Sequence, residues 1–188
     1  MKNKGNSYYD SLADLAKRAV ESAKVLREGR EMQKTSAKAA KARDEILKNL
    51  GEEFLPPLER EDIAALAFSL AGLSEASALL SEYAQLCDAR KTQEKLISNV
   101  YYYIKVIYDA VACLSEGGKS DNLSRCVEQM HSLSEVCSLS LLTARGELLR
   151  QQDTKKQLAG IIFCDACAGC YERLDSFCEL LETVVIKN

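Results

Sequence analysis

Residues 56–87, PPLEREDIAALAFSLAGLSEASALLSEYAQLC, decide the fold. The paired prolines Pro56 and Pro57 stop any helix arriving from upstream, because proline lacks an amide proton and disfavours helical geometry in the residue before it. Glu59, Glu61 and Asp62 then load the next first turn with negative charge, where the helix dipole favours it. Beyond them Ile63, Leu66, Leu70, Leu73, Ser77, Leu80, Ala84 and Cys87 recur at alternating steps of three and four. That spacing puts them all on one face of a long helix, as in the seam of a bundle.

Working outward, five further segments carry the same period. The first is expected over Ser7 to Glu28, with Ser7 as cap and Gly29 as stop. Its inner face is Tyr8, Leu12, Leu15, Ala19, Ala23 and Leu26. The second, Lys34 to Glu52, is rich in Ala and Lys and has high helix propensity with a weak apolar stripe. The fourth runs from Thr92 to Leu114, with Leu96, Val100, Tyr103, Ile107 and Val111 inward, and Gly117 and Gly118 end it. Asp121 or Asn122 caps the fifth, which presents Leu123, Val127, Met130, Leu133, Cys137, Leu141 and Leu148. The sixth spans Thr154 to Lys187 with Leu158, Ile161, Ile162, Leu174, Phe177, Leu181 and Val185 inward, and a break is expected at Gly169. No alternating strand pattern competes. The expected class is all-α, six antiparallel helices arranged as two three-helix bundles, because short connections make sequential helices pack antiparallel. The chain reads as one domain over 1–188 with architectural pseudo-repeats of roughly 1–90 and 91–188.

Composition agrees with this plan. Of 188 residues 47% are hydrophobic, enough for a packed core, while two prolines and nine glycines supply too little turn punctuation for an all-β fold. The net charge of -3 lacks the basic excess that phosphate neutralisation demands of a nucleic-acid binder. Lys2 and Lys4 precede no apolar run, so no secretory signal is read. The apolar stretch Leu180 to Ile186 is broken by Glu182 and falls short of a membrane span, so the expectation is a cytoplasmic protein without direct membrane insertion.

In a cytosol the eight cysteines stay reduced. Cys87, Cys113, Cys126, Cys137 and Cys178 occupy apolar helical positions and read as small hydrophobes. Cys164, Cys167 and Cys170 have the close spacing used by zinc and iron–sulfur sites, which makes a metal-binding or redox helical bundle the alternative function. Within a helix, however, steps of three fan these thiols over a wide arc, and neither a histidine nor a proline completes a ferredoxin pattern. Interleaved Ala166, Ala168 and Gly169 suit close helix packing instead. His131, the single histidine, forms an i, i+4 pair with Glu135 and reads as a solvated surface pair. Ser132, Ser134, Ser138 and Ser140 have no base in an obvious motif, and neither a nucleophile elbow nor a phosphate-binding glycine loop occurs. No catalytic residue is assigned, so no enzyme is expected. Tyr101, Tyr102 and Tyr103 run round their helix, one toward the core and two toward its margin.

Residues 54–63, Phe54-Leu-Pro-Pro-Leu-Glu-Arg-Glu-Asp-Ile63, resemble the Phe-Ile-Thr-Pro-Ile/Phe-Asp-Arg-Glu-Asp-Ile signature of the PhoU-like proteins associated with Pit-type phosphate transporters. Phe54, Pro57, Arg60, Glu61, Asp62 and Ile63 match outright, and Leu55, Leu58 and Glu59 are close substitutes. Asn6-Ser-Tyr-Tyr-Asp10 looks like the family's aromatic start to helix one, and Glu182-Thr-Val-Val-Ile-Lys187 is similar to its closing Glu-x-Ile-Val-Leu-Lys. The resemblance implies a pair of three-helix bundles and a regulatory role in phosphate uptake, with a membrane phosphate transporter or signalling protein as partner and a homodimer as an option. The cluster Arg60, Glu61 and Asp62 is expected to hold the corner between helices two and three, or simply to start helix three.

Relatives in the wider group hold metal through Glu-x-x-x-Asp pairs, whose two carboxylates share one helix face. Here the corresponding positions are Ser36 and Ala40 in helix two, Ala71, Gly72 and Glu75 in helix three, Leu133 to Ser138 with Glu135 in helix five, and Ala168 and Glu172 in helix six. Each pair has lost at least one carboxylate. Glu75 and Glu172 are remnants, and the family's metal cluster is expected to be absent, with no cofactor. The reading is a degenerate PhoU-like regulator, with a generic helical adaptor as a further alternative.

Overall fold

The computed structural model describes residues 6–30, 35–52, 56–86, 90–116 and 120–187. They form six α-helices: α1 (Asn6–Arg27), α2 (Thr35–Glu52), α3 (Arg60–Leu86), α4 (Arg90–Cys113), α5 (Asp121–Leu148) and α6 (Thr154–Lys187), with a short 3-10 turn at Leu114–Glu116 after α4. Among the described residues there is no strand.

Local chemistry sets the ends. Gly29 closes α1 with φ of 64°, a left-handed conformation that glycine adopts without steric cost. The Gly29 amide donates to the Leu26 carbonyl and that of Arg30 to Val25, both at 3.1 Å, which is a Schellman closure. Asp153 starts α6: its Oδ1 accepts the amides of Lys155 at 3.0 Å and Lys156 at 3.3 Å. Glu59 holds the corresponding place before α3, its carbonyl taking the Ile63 amide at 3.0 Å, while Glu61 and Asp62 lie in the first turn. Two expected caps are displaced. Ser7 lies inside α1, and Ser120 rather than Asp121 or Asn122 is the extended residue before α5.

Helices α1, α2 and α3 pack on one another, as do α4, α5 and α6, and the two sets meet where α1 lies on α4 and α3 on α6. Helix α3 is therefore buried from three sides. Ile63, Leu66, Leu70, Leu73, Ser77 and Leu80 of its seam are all buried, and the Ser77 hydroxyl donates to the Leu73 carbonyl at 2.9 Å. Ala84 is half-buried, and Cys87 lies outside the described residues. By length and composition α3 could cross a membrane, which corrects the expectation that no stretch is long and apolar enough. In the bundle, 56% of that apolar window is buried, which accounts for its composition as a core helix.

Helix α6 corrects the sequence reading in two ways. It runs without a break through Gly169. Its inner stripe is Gly160, Phe163, Cys164, Cys167, Cys170, Tyr171, Leu174, Phe177, Cys178, Leu181 and Val184, whereas Leu158, Ile161 and Ile162 are exposed. At 100° per residue Leu158 lies about 160° round from Leu174, so both cannot face one core. At Gly160 the Leu148 side chain of α5 lies directly against α6: a Cβ there would lie 2.3 Å from Cδ2 of Leu148. Cys137 and Cys178 are buried as expected, but Cys113 and Cys126 are only half-buried.

Candidate functional site

The segment that carries the family resemblance becomes a joint between chain regions far apart in sequence. Asp62 is buried at the start of α3, and its Oδ1 accepts a 3.0 Å hydrogen bond from Nζ of Lys187 at the end of α6. Glu59 lies 3.5 Å from the same ammonium. The Asp62 hydrogen bond, helped by the charges of Asp62 and Glu59 and opposed by desolvation, raises the Lys187 pKa. Asp62 thus ties α3 to α6. Ile63 is fully buried beside it, Arg60 and Glu61 are exposed, Pro57 is half-buried, and Phe54 lies outside the described residues.

The positions where the resemblance is expected to place metal ligands differ in burial. Ser36, Ala40 and Ala168 are half-buried, Ala71 is buried, and Glu75, Glu135 and Glu172 are exposed. Glu75 lines an open groove between α3 and α6, together with Leu79, Tyr83, Ile162, Asp165 and Arg173. Arg173 also reaches α3 further along: its Nη1 lies 3.5 Å from where a Gly72 side chain would begin. A guanidinium thus stands beside Gly72, one of the positions where the resemblance leads one to expect a carboxylate. A cation there disfavours a metal ion nearby by like-charge repulsion, weakened because Arg173 is exposed to solvent.

The three close-spaced cysteines are packed rather than poised. Cys164, Cys167 and Cys170 are all buried in the α6 stripe. Along the axis Cys164 and Cys170 are about 9 Å apart, six rises of 1.5 Å, too far to bind one ion together. Burial pushes the Cys170 thiol up to about 12, with Arg173 pulling weakly the other way. A protonated, enclosed thiol is a poor nucleophile and a poor redox sensor.

His131 does not pair with Glu135. Its Nε2 lies 2.9 Å from Oε1 of Glu182 on α6, a contact between α5 and α6 that local spacing could not reveal. The Ser132 hydroxyl donates to the Glu128 carbonyl, so the single imidazole does not activate it. Of the three tyrosines, Tyr103 is buried and its hydroxyl donates to Asp175 Oδ1 at 2.8 Å. Tyr101 is half-buried under the Arg27 guanidinium, 3.8 Å from its ring centre, and Tyr102 is exposed.

No protein-family model matches the sequence, and no curated protein sequence matches it. Solved structures do. A crystal structure from Shewanella oneidensis MR-1, presented as a PhoU-like phosphate regulatory protein, superposes with a TM-score of 0.64 at 14% identity, covering 97% of each chain. A second, of a PhoU-like protein from the same organism, gives 0.65 at 14% identity and the same coverage. The chain has the PhoU-like fold. At this identity the likeness reports backbone architecture. The PhoU-like arrangement of six helices nonetheless runs the length of the chain, in agreement with the class expected from helical period and from the signature at 54–63.

Proposed function

We propose that this protein is a non-enzymatic regulator or accessory of inorganic phosphate transport that works through protein–protein contacts. The observation that carries the reading is the PhoU-like fold over 97% of the chain, joined to a signature-like segment whose Asp62 is used structurally. It acts in the cytoplasm, at the inner face of the membrane, through a transporter or signalling partner rather than by inserting a helix. The apolar window of α3 is committed largely to the core, which supports that mode. On this reading the family's carboxylate-held cluster is degenerate, and Arg173 beside Gly72 with single acids at Glu75 and Glu172 supports it.

A tagged chain recovered from gently solubilised membranes of the source cell, with partners identified by mass spectrometry, tests the reading. A phosphate permease or phosphate-signalling protein among the partners supports it, and deletion then alters phosphate uptake. Recovery of neither, with uptake unchanged on deletion, overturns it in favour of a helical adaptor without a phosphate role.

A further inference from the structure

Near one end of the α5–α6 pair, three donors of different chemistry converge. The ligand atoms of His131, Cys178 and Glu182 all lie within 4.8 Å of one another. Cys178 and Glu182 are one turn apart on α6 and so share a face, and His131 projects from α5 onto it. Among the described residues this is the group of three His, Cys or acidic side chains whose donors come together, and it is separate from the close-spaced cysteines and from the positions where the resemblance places metal-binding carboxylate pairs.

We propose that His131, Cys178 and Glu182 form a binding site for one zinc-class divalent ion. One imidazole nitrogen, one thiolate and one carboxylate make a mixed borderline donor set, which selects zinc or cobalt over magnesium or calcium. Bonds of about 2.0–2.3 Å in a tetrahedron place the donors roughly 3.3–3.6 Å apart. The present spread, with no pair beyond 4.8 Å, is compatible with that: the 2.9 Å contact between His131 and Glu182 opens slightly and the donors adjust by about an ångström at most. Cys178 is buried while His131 is exposed and Glu182 half-exposed, so the ion enters from solvent against a fixed thiol. Three protein ligands leave a fourth position for water.

On binding, the thiol S–H bond breaks, sulfur keeps the electron pair and donates it to the ion, and the proton leaves to solvent. Burial, then the charges of Glu182, Asp175 and Glu179, push this thiol up to about 11 in the metal-free protein. The ion must therefore displace a proton, and the coupling of metal affinity to thiol ionisation provides the means.

The experiment uses the full chain, reduced and stripped with a chelator, then titrated with Co(II) and back-titrated with Zn(II). One equivalent of Co(II) is expected to give a thiolate-to-cobalt charge-transfer band and tetrahedral visible bands, both bleached by one equivalent of Zn(II). Cys178→Ser is expected to abolish the charge-transfer band. His131→Ala and Glu182→Gln are each expected to weaken binding by about tenfold or more, since loss of even an outer partner of a ligand commonly costs that much. His131 is exposed, so its variant keeps the fold and guards against a misfolded Cys178 variant. Absence of binding at micromolar metal overturns the site, and so does a band that persists in Cys178→Ser or an affinity that His131→Ala leaves unchanged.

Discussion

Tyr103 joins α4 to α6 with a single hydroxyl, and it does so inside the core. Its ring is buried and its O–H donates 2.8 Å to Asp175, so burial together with that acceptor raises its pKa and keeps it un-ionised. Tyr103→Phe is expected to lower unfolding free energy by about 1–2 kcal/mol, the cost of a lost hydrogen bond to a charged acceptor that solvent still partly reaches. Urea unfolding measures it; no change would mean that water replaces the hydroxyl without loss. At the other joint, Lys187 has its pKa raised by the Asp62 hydrogen bond above all. A group raised on folding contributes stability that is complete below its ordinary pKa and is lost as pH climbs through the raised value. Lys187→Met is therefore expected to remove part of the loss of stability expected at strongly alkaline pH. At neutral pH it should destabilise more than Asp62→Asn, because it strands a buried carboxylate whereas Asn keeps an acceptor and removes the charge. Equal effects of the two would show that the pair is not coupled. Neither joint was legible in the sequence: Asp62 and Lys187 are separated by 125 positions, and nothing local to either names the other. His131 shows the opposite failure, where a good i, i+4 neighbour, Glu135, hid the true partner on another helix.

At the scale of the helix, legibility follows from how strictly a stripe repeats. The α3 seam was readable because its apolar positions hold one phase for five turns and more, and the structure buries them from Ile63 to Leu80. Leu70→Ala is expected to cost about 2–5 kcal/mol in urea unfolding, since α1, α2 and α6 hem α3 in and limit collapse of the cavity. Helix α6 was misread at its start because, Phe163 apart, its inner stripe there is made of Gly160, Cys164 and Cys167, small side chains that carry little weight beside Leu158, Ile161 and Ile162. Two glycines of this helix separate propensity from packing. At Gly169 a Cβ would meet nothing within 4 Å, so Gly169→Ala should raise stability by up to about 1 kcal/mol through helix propensity alone. At Gly160 the same methyl would collide with Leu148 at 2.3 Å, and its Cγ lies only 3.2 Å away. Gly160→Ala should therefore lower the melting temperature while Gly169→Ala raises it. Two increases of equal size would show that α5 and α6 are less tightly locked than their geometry indicates.

For the whole molecule, the decisive fact is that the two three-helix sets share their best apolar faces. Helix α1 lies between α2, α3 and α4, and α3 lies between α1, α2 and α6, so neither set buries its core without the other. A division near Arg90 is an expectation from helix order, and this dependence is not readable from period, which reports which face is apolar and not which helix covers it. Unfolding is expected to be one cooperative transition with equal calorimetric and van't Hoff enthalpies, near 130 kcal/mol by the usual ~0.7 kcal/mol per residue around 60 °C. Two independent halves would each give about half that enthalpy. The calorimetry is run with a chelator present, so that any ion held by His131, Cys178 and Glu182 does not add a ligand term to the transition. Under those conditions Leu70→Ala should shift the single peak as a unit, carrying α4, α5 and α6 with α3. A shoulder that moves while the rest of the peak stays would show that the second set folds on its own, and α1 against α4 and α3 against α6 would then be a docking surface between domains rather than one core.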